Sequence, residues 1–351
     1  MIKLSVQIVS RRSYAVDQIC SIEVSSPAYG RHQIICRPSS NFYEATVRCS
    51  VDPKNFDDEI IGHITNGKFS IAFDNPDNNR QYFCLESASS GPLVCAQRNV
   101  LLEGSVNFRD IGGYLTESGN RIAWGKIYRS GHLSDLTALG KIAYANLDVG
   151  MVVDFRLVEE KANENAELPG APNVCQLGIM PGVGTAHYFH DLFATKPREI
   201  DVVEAMHEMM RYLVTDNIDA YGQLFQLLLH SDNAGVLLNC SAGKERTGFG
   251  IALVLECLGV PREVVLYDFM LSKKYFPVED EIDRVLRKYG VSNENGEGVN
   301  IIMPLLETRE SYLNAAFDYI DKYYGCTKAF AKQCLGVGDV DFVRLVNKYT
   351  D

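Results

Sequence analysis

No run of roughly 18 apolar residues occurs in the chain, so no transmembrane helix is expected. The opening Met1-Ile-Lys-Leu-Ser lacks the hydrophobic core of a secretion signal. Positive charge is in deficit. The 34 Lys and Arg against 45 Asp and Glu leave a net charge of −11, which argues against a general nucleic-acid or anionic-membrane binder. Ten cysteines contain no Cys-x-x-Cys pair, which removes the usual zinc and dithiol signatures. His187 and His190 have no evident third ligand, so no metal is expected, and no other cofactor is implied. A nucleotide P-loop is missing as well. It needs Gly, four residues, then Gly-Lys-Ser/Thr, whereas Gly243-Lys244 is followed by Glu245 and no glycine stands five residues before Gly243.

What is present is the segment Cys240-Ser241-Ala242-Gly243-Lys244-Glu245-Arg246-Thr247-Gly248, set between the apolar Val236-Leu237-Leu238 and a second apolar stretch from Phe249 to Val260. A chain leaving a strand at Asn239 and entering a helix near Thr247 must turn within a few residues. Gly243 can take the positive φ that such a turn demands, and the loop amides from Ser241 to Gly248 then line one concavity. The helix N-terminus adds positive potential at the same spot, so an oxyanion fits there. Arg246 offers a planar fork for two phosphate oxygens, which a lysine does not. Helix dipole and guanidinium together favour the thiolate of Cys240 over its thiol. At usage of roughly 5–7% per residue type, chance produces this spacing about once in several thousand chains. A buried cysteine that merely ends a strand leaves the charged Lys244-Glu245-Arg246 turn unexplained.

The pattern Cys-x5-Arg-Thr-Gly resembles the signature of the protein tyrosine phosphatase superfamily. Asn107-Phe-Arg-Asp-Ile-Gly-Gly-Tyr114 looks like the opening motif of its bacterial and fungal LipA/IphP-like branch, with tyrosine, dual and phosphoinositide specificity. Tyr128-Arg-Ser130, Leu133-Ser-Asp-Leu-Thr137, Val152-Val-Asp-Phe-Arg156, Tyr312-Leu-x-Ala-Ala-Phe317, Tyr324-Gly325 and Leu335-Gly336 follow in the expected order, so the resemblance spans about residues 98 to 351. It implies a phosphoric monoester hydrolase acting on a phosphorylated protein or a phosphoinositide. Cys240 would attack phosphorus, Arg246 and the loop would hold the oxygens, and a cysteinyl-phosphate would then be hydrolysed. Two departures stand out: Asn239 where the family usually has His, and Glu245 where it usually has Asp.

A tyrosyl leaving group has a pKa near about 10, so a proton donor is needed. Glu245 and Asp110 compete for that role, although an Asp beside Gly112-Gly113 also suits a turn. Thr247 suits either a helix cap or a hydrogen bond to the sulfur. Lys244, at the rim, is a second cation for further phosphates or a solvated partner of Glu245. Arg109 and Arg129 are placed to add positive potential or to brace the fold, and Asp154 with Arg156 reads as an internal ion pair. The segment His187 to Phe193, followed by Met206, Met209, Met210 and Leu213, has the spacing of core helices. In similar proteins it walls the site, with Met180-Pro-Gly-Val-Gly184 as a point of movement.

Composition changes near residue 97. Before it, Lys3–Val9, Ala45–Cys49 and Phe69–Phe73 read as short strands between turns, so residues 1–97 are expected to form a small all-β sandwich-like domain. After it, Leu139, Ile142, Ala143 and Leu147 fall on one helical face, as do Leu224, Leu227 and Leu228. Met151–Phe155 and Gly235–Leu238 read as buried strands. Residues 98–351 are therefore expected to be an α/β phosphatase domain, a mainly parallel sheet flanked by helices, with the phosphate loop at a strand's carboxyl end. A nucleophilic thiol must stay reduced, which fits a cytoplasmic setting unless a secretion signal has been removed. An inactive phosphate-binding relative and arsenate or sulfur chemistry are the competing readings; the last usually needs a resolving thiol, and Cys257 looks buried on the helix after the loop.

Overall fold

The computed structural model describes residues 22–28, 31–37, 40–72, 79–180, 182–185, 187–232 and 234–351. Its first strands are β1 (Ile22–Ala28), β2 (Arg31–Cys36), β3 (Ala45–Ser50), β4 (Gly62–Ile64), β5 (Lys68–Ala72), β6 (Tyr82–Ser87) and β7 (Ser90–Ala96). They form two antiparallel sheets, ordered β1-β2-β5 and β4-β3-β6-β7. Val24, Ile34 and Cys36 from the first sheet share a core with Val47, Ile64, Phe83 and Leu85 from the second. That is a sandwich, each sheet turning its alternate apolar residues inward. Two of the expected strands are present as β3 and β5; the third, Lys3–Val9, lies outside the described residues.

The second region holds β8 (Arg109–Asp110), β9 (Ile127–Ser130), β10 (Val149–Asp154), β11 (Asn173–Gln176) and β12 (Gly235–Asn239), in the spatial order β11-β10-β12-β9-β8. β10 runs parallel to β11 and β12, β12 runs parallel to β9, and β8 is antiparallel to β9. Central β12 is buried at every residue, which explains its unbroken apolar sequence. Around the sheet lie α1 (Ala138–Ala145), α2 (Val158–Asn163), α3 (Tyr188–Ala194), α4 (Glu199–Thr215), α5 (Ile218–His230), α6 (Glu245–Cys257), α7 (Arg262–Met270), α8 (Ser272–Tyr275), α9 (Val278–Tyr289), α10 (Glu297–Leu306), α11 (Glu310–Tyr324), α12 (Thr327–Cys334) and α13 (Asp339–Tyr349). The fold is the expected mixed α/β arrangement.

α6 is buried on almost every side, so its sequence is apolar all round rather than in a stripe. Met206, Met209, Met210 and Leu213 of α4, with Leu224 and Leu228 of α5, enter the same core. α1 departs from expectation: Leu139 and Ile142 are exposed, while Gly140, Ala143 and Tyr144 face inward. The reason is close approach. A Cβ at Gly140 would stand 2.2 Å from the carbonyl oxygen of Glu103, so the glycine side packs and the leucine side faces water. Among the described residues, no helix is long and apolar enough to cross a membrane.

Candidate active site

β12 ends at Asn239, and the chain from Cys240 to Lys244 turns directly into α6. Gly243 makes the turn with φ +68, and a Cβ there would stand 2.4 Å from the backbone of Ser130. Both conformation and space therefore require glycine. Cys240 is buried, and its Sγ accepts a hydrogen bond from the Gly243 amide at 3.2 Å.

The carbonyls of Ser241, Ala242 and Gly243 are each held by a donor from outside the loop. His132 N donates to Ser241 O at 2.9 Å. Asn107 Nδ2 donates to Gly243 O at 3.1 Å, and Arg129 Nη2 donates to the same oxygen at 2.7 Å. With the carbonyls held away, the amides of Ser241, Ala242, Lys244, Glu245 and Arg246 are free of internal bonds among the described residues and line the concavity. Gly248 is a correction. Its amide donates to Lys244 O at 2.7 Å inside α6, so it is spent on the helix and faces no ligand.

Behind the loop sits a buried polar hub. Asp268 of α7 accepts from Arg129 Nη1 at 2.6 Å, Arg109 Nη1 at 3.1 Å and Tyr114 Oη at 2.9 Å. Burial works to raise its carboxyl pKa, but the two guanidiniums hold it below the usual range. Arg109 also donates to Asn107 and Ser272. This corrects the expectation of Arg109 as a substrate ligand: it has no exposed surface, and its donors all go to the hub.

Arg246 projects from α6 and meets a partner that sequence reading missed. Glu160 of α2 accepts from Nη1 and Nη2, both at 2.8 Å, and from Ser241 Oγ at 2.9 Å. Burial works against the Glu160 carboxylate, yet the Arg246 pair brings its pKa down to about 2. Nη1 is further fixed by the carbonyl of Ile179 at 3.0 Å. Glu160 thus occupies one bidentate edge of the guanidinium and leaves the edge through Nε for an oxyanion. The available signal was its place four residues after Arg156, which puts it one helical turn into α2. Asp154 and Arg156 form the expected internal pair, at 2.8 Å.

Lys244 and Asp110 do not stand where the sequence suggested. Lys244 is buried, and its Nζ donates to the carbonyls of Leu305 at 2.9 Å and Leu306 at 2.7 Å, at the end of α10. The last carbonyls of a helix lack internal donors, and Lys244 supplies one. It is no rim cation. Asp110 has no exposed surface; Oδ1 accepts from Gly112 N at 2.7 Å, and Oδ2 accepts from Gly125 N at 2.8 Å. That is the turn role rather than the acid role, because an enclosed carboxylate cannot reach a leaving group. Glu245 is different. It is partly exposed at the first position of α6, and its Oε1 has no hydrogen-bond partner, with Lys244 Nζ 3.6 Å away. Thr247 is buried with Oγ1 unpartnered and caps nothing. Asn239 is buried at the end of β12, its Oδ1 also unpartnered. Among the described residues no cluster of metal ligands occurs.

A strand, a turn of inward amides, a buried thiol and a braced arginine at the start of a central helix define a phosphoric monoester hydrolase. The chain belongs to the tyrosine phosphatase family, whose model matches residues 100–351. It is 28% identical over 267 residues to a candidate tyrosine-protein phosphatase of Cupriavidus necator, covering 75% of this chain and 92% of that protein. It is 26% identical over 253 residues to the triple specificity protein phosphatase PtpB of Mycobacterium tuberculosis, covering 64% and 89%. A tyrosine-protein phosphatase of Nostoc commune is 24% identical over 148 residues, 42% of this chain and 48% of that one.

Proposed function

We propose that residues 98–351 are a catalytic domain that hydrolyses phosphate monoesters through a cysteinyl-phosphate at Cys240. The observation that carries this reading is the pairing of the Gly243 amide with Cys240 Sγ in a loop whose Ser241 and Gly243 carbonyls are held by donors from outside it. The thiolate attacks phosphorus in line, and the P–O bond to the leaving group breaks. Arg246 and the loop amides hold the three remaining oxygens, and Glu245 gives its proton to the departing oxygen. Water then attacks the phosphorus of the thioester, the P–S bond breaks, Glu245 takes back a proton, and phosphate leaves. Asp110 and Arg109 act as braces in this scheme, and the strands between Ile22 and Ala96 form a β domain packed against the catalytic one.

The substrates we infer are phosphotyrosine together with other phosphate monoesters. The relative named as having triple specificity, with the LipA/IphP-like motifs at Asn107 to Tyr114 and at Cys240 to Gly248, supports breadth beyond phosphotyrosine. Lys244 gives no support to phosphoinositides, since its ammonium is used by α10. Resolving-thiol chemistry is disfavoured because Cys257 is buried and burial pushes its thiol pKa up.

Phosphate release is measured from an aryl phosphate, from phosphotyrosyl and phosphoseryl peptides and from phosphoinositides, with wild type and Cys240→Ser. Loss of all release in Cys240→Ser is expected. Turnover surviving in that variant sinks the nucleophile. Glu245→Gln is expected to slow poor leaving groups far more than good ones; equal slowing removes Glu245 as the acid.

A further inference from the structure

β8 is two residues long and carries a buried charge on each side. Neighbouring residues of a strand point to opposite faces. Here Arg109 turns to the hub behind the phosphate loop, and Asp110 turns to the β sandwich. Arg80, in the segment before β6, brings Nη1 to 2.8 Å from Asp110 Oδ2, and its Nη2 donates to the carbonyl of Gln97 at 3.1 Å. The rings of Tyr82, Trp124 and Tyr128 lie 5.0, 5.7 and 5.7 Å from its guanidinium carbon. The chain after β7 then runs antiparallel to β8: Asp110 N donates to Arg98 O at 3.0 Å, and Val100 N donates to Phe108 O at 3.1 Å. Arg98 reaches back, donating from Nη1 to Asp110 O at 2.8 Å and from Nη2 to Gly112 O at 2.9 Å. On the other side the path to the phosphate loop is short. Arg109 Nε donates to Asn107 Oδ1 at 3.1 Å, and Asn107 Nδ2 donates to Gly243 O at 3.1 Å. Asn107 sits at φ +55, a conformation that an L residue keeps when its surroundings impose it.

We infer that Arg80, a residue of the β sandwich, is a positioning residue for phosphate hydrolysis: its charge on Asp110 sets β8, and β8 sets the Gly243 carbonyl through Arg109 and Asn107. This rests on the phosphatase reading above. An ion pair that only joined two domains could stand anywhere along the seam, whereas this one stands on the strand that carries Arg109. Asn107, Arg109 and Asp110 are all buried, where no water replaces a displaced partner, so a displacement at Asp110 is passed on to the loop.

The test compares kcat/KM per folded molecule, the folded fraction being read from urea curves, for wild type, Arg80→Met, Arg80→Lys and Leu85→Ala, the last a change in the sandwich core. In Arg80→Met the value falls about fivefold, and by the same factor for aryl phosphates of low and high leaving-group pKa, as a weakened hold on the oxyanion requires. Arg80→Lys keeps a positive charge beside Asp110 and stays within about twofold of wild type. Leu85→Ala is less stable and equally active per folded molecule. An unchanged value in Arg80→Met confines Arg80 to holding the two regions together and overturns the inference. An equal fall in Leu85→Ala overturns it too, since any loosening of the sandwich then suffices, as does an equal fall in Arg80→Lys, which takes charge out of the account. If Arg80→Met does not fold, the wild type decides, because coupling between two sites is reciprocal. Tungstate bound in the phosphate loop then slows amide exchange at residues 82–84 and 98–100, and unaltered exchange there overturns the inference. Failure of the phosphatase reading shows separately, as an absence of release from aryl phosphate by the wild type.

Discussion

Arg80 Nη1 lies 2.8 Å from Asp110 Oδ2, across the seam between the β sandwich and the α/β region, with both side chains buried. The approach is off the N–H axis, so the pair acts by charge rather than as an aligned hydrogen bond. Trp124, the chain's one tryptophan, sits at the same seam, packed with Tyr82 and Ala96 and donating from Nε1 to Val94 O at 3.1 Å. The two regions are joined by a buried charge, not by a tether.

Arg80→Ala leaves the Asp110 charge enclosed without its partner, a loss of roughly 3–5 kcal/mol. Unfolding followed by Trp124 fluorescence and by circular dichroism should shift together to lower denaturant. A variant as stable as wild type would show that Arg80 is dispensable to the seam. The same argument predicts that residues 98–351 expressed alone unfold at lower denaturant than the whole chain.

Asp268 makes a second prediction. It anchors Arg129, which in turn holds the Gly243 carbonyl away from the site. Asp268→Asn should lower kcat/KM of the folded enzyme by about tenfold to a hundredfold and weaken inhibition by vanadate in proportion, because the loop amides lose their aim. A role confined to stability would lower the melting midpoint and leave the folded fraction fully active.

The sequence made the loop legible because its chemistry is local: strand, glycine turn, arginine and helix start lie within nine residues, and the buried β12 and α6 are marked by uninterrupted apolar runs. What it hid is long-range. Lys244 reaches carbonyls some sixty residues on, and Asp110 meets Arg80 from the segment before β6, so neither partner is visible from spacing. Charged residues in motifs drew functional readings for Arg109, Asp110 and Lys244, whereas burial made them braces. Glu160 was missed for the opposite reason, since a glutamate on a short helix resembles a surface residue until Arg246 is seen in its grip.

Glu160 sets a pH dependence. Its carboxyl ordinarily titrates near 4.5 and in the fold is held at about 2, so the folded state favours the charged form. Stability from the Arg246 pair is then fully present above about pH 4.5 and is lost as pH falls toward 2, a contribution of about 3 kcal/mol. Urea unfolding of wild type and Glu160→Gln should differ by about that amount at pH 7, and the gap should close on acidification through that window. A gap independent of pH would mean that the pair contributes nothing through charge.

Lys244 yields the last prediction. Its Nζ serves the carbonyls of Leu305 and Leu306, and it lies 4.5 Å from the centre of the Phe276 ring. Lys244→Met keeps most of the volume and removes the donors, leaving helix-end carbonyls buried and unpaired, at about 1–3 kcal/mol. The loss should appear as a lower urea midpoint and as faster amide exchange along α10 and the segment after it. If Lys244→Met lowers kcat/KM while leaving stability intact, its ammonium is turned toward substrate and the helix-end assignment is wrong.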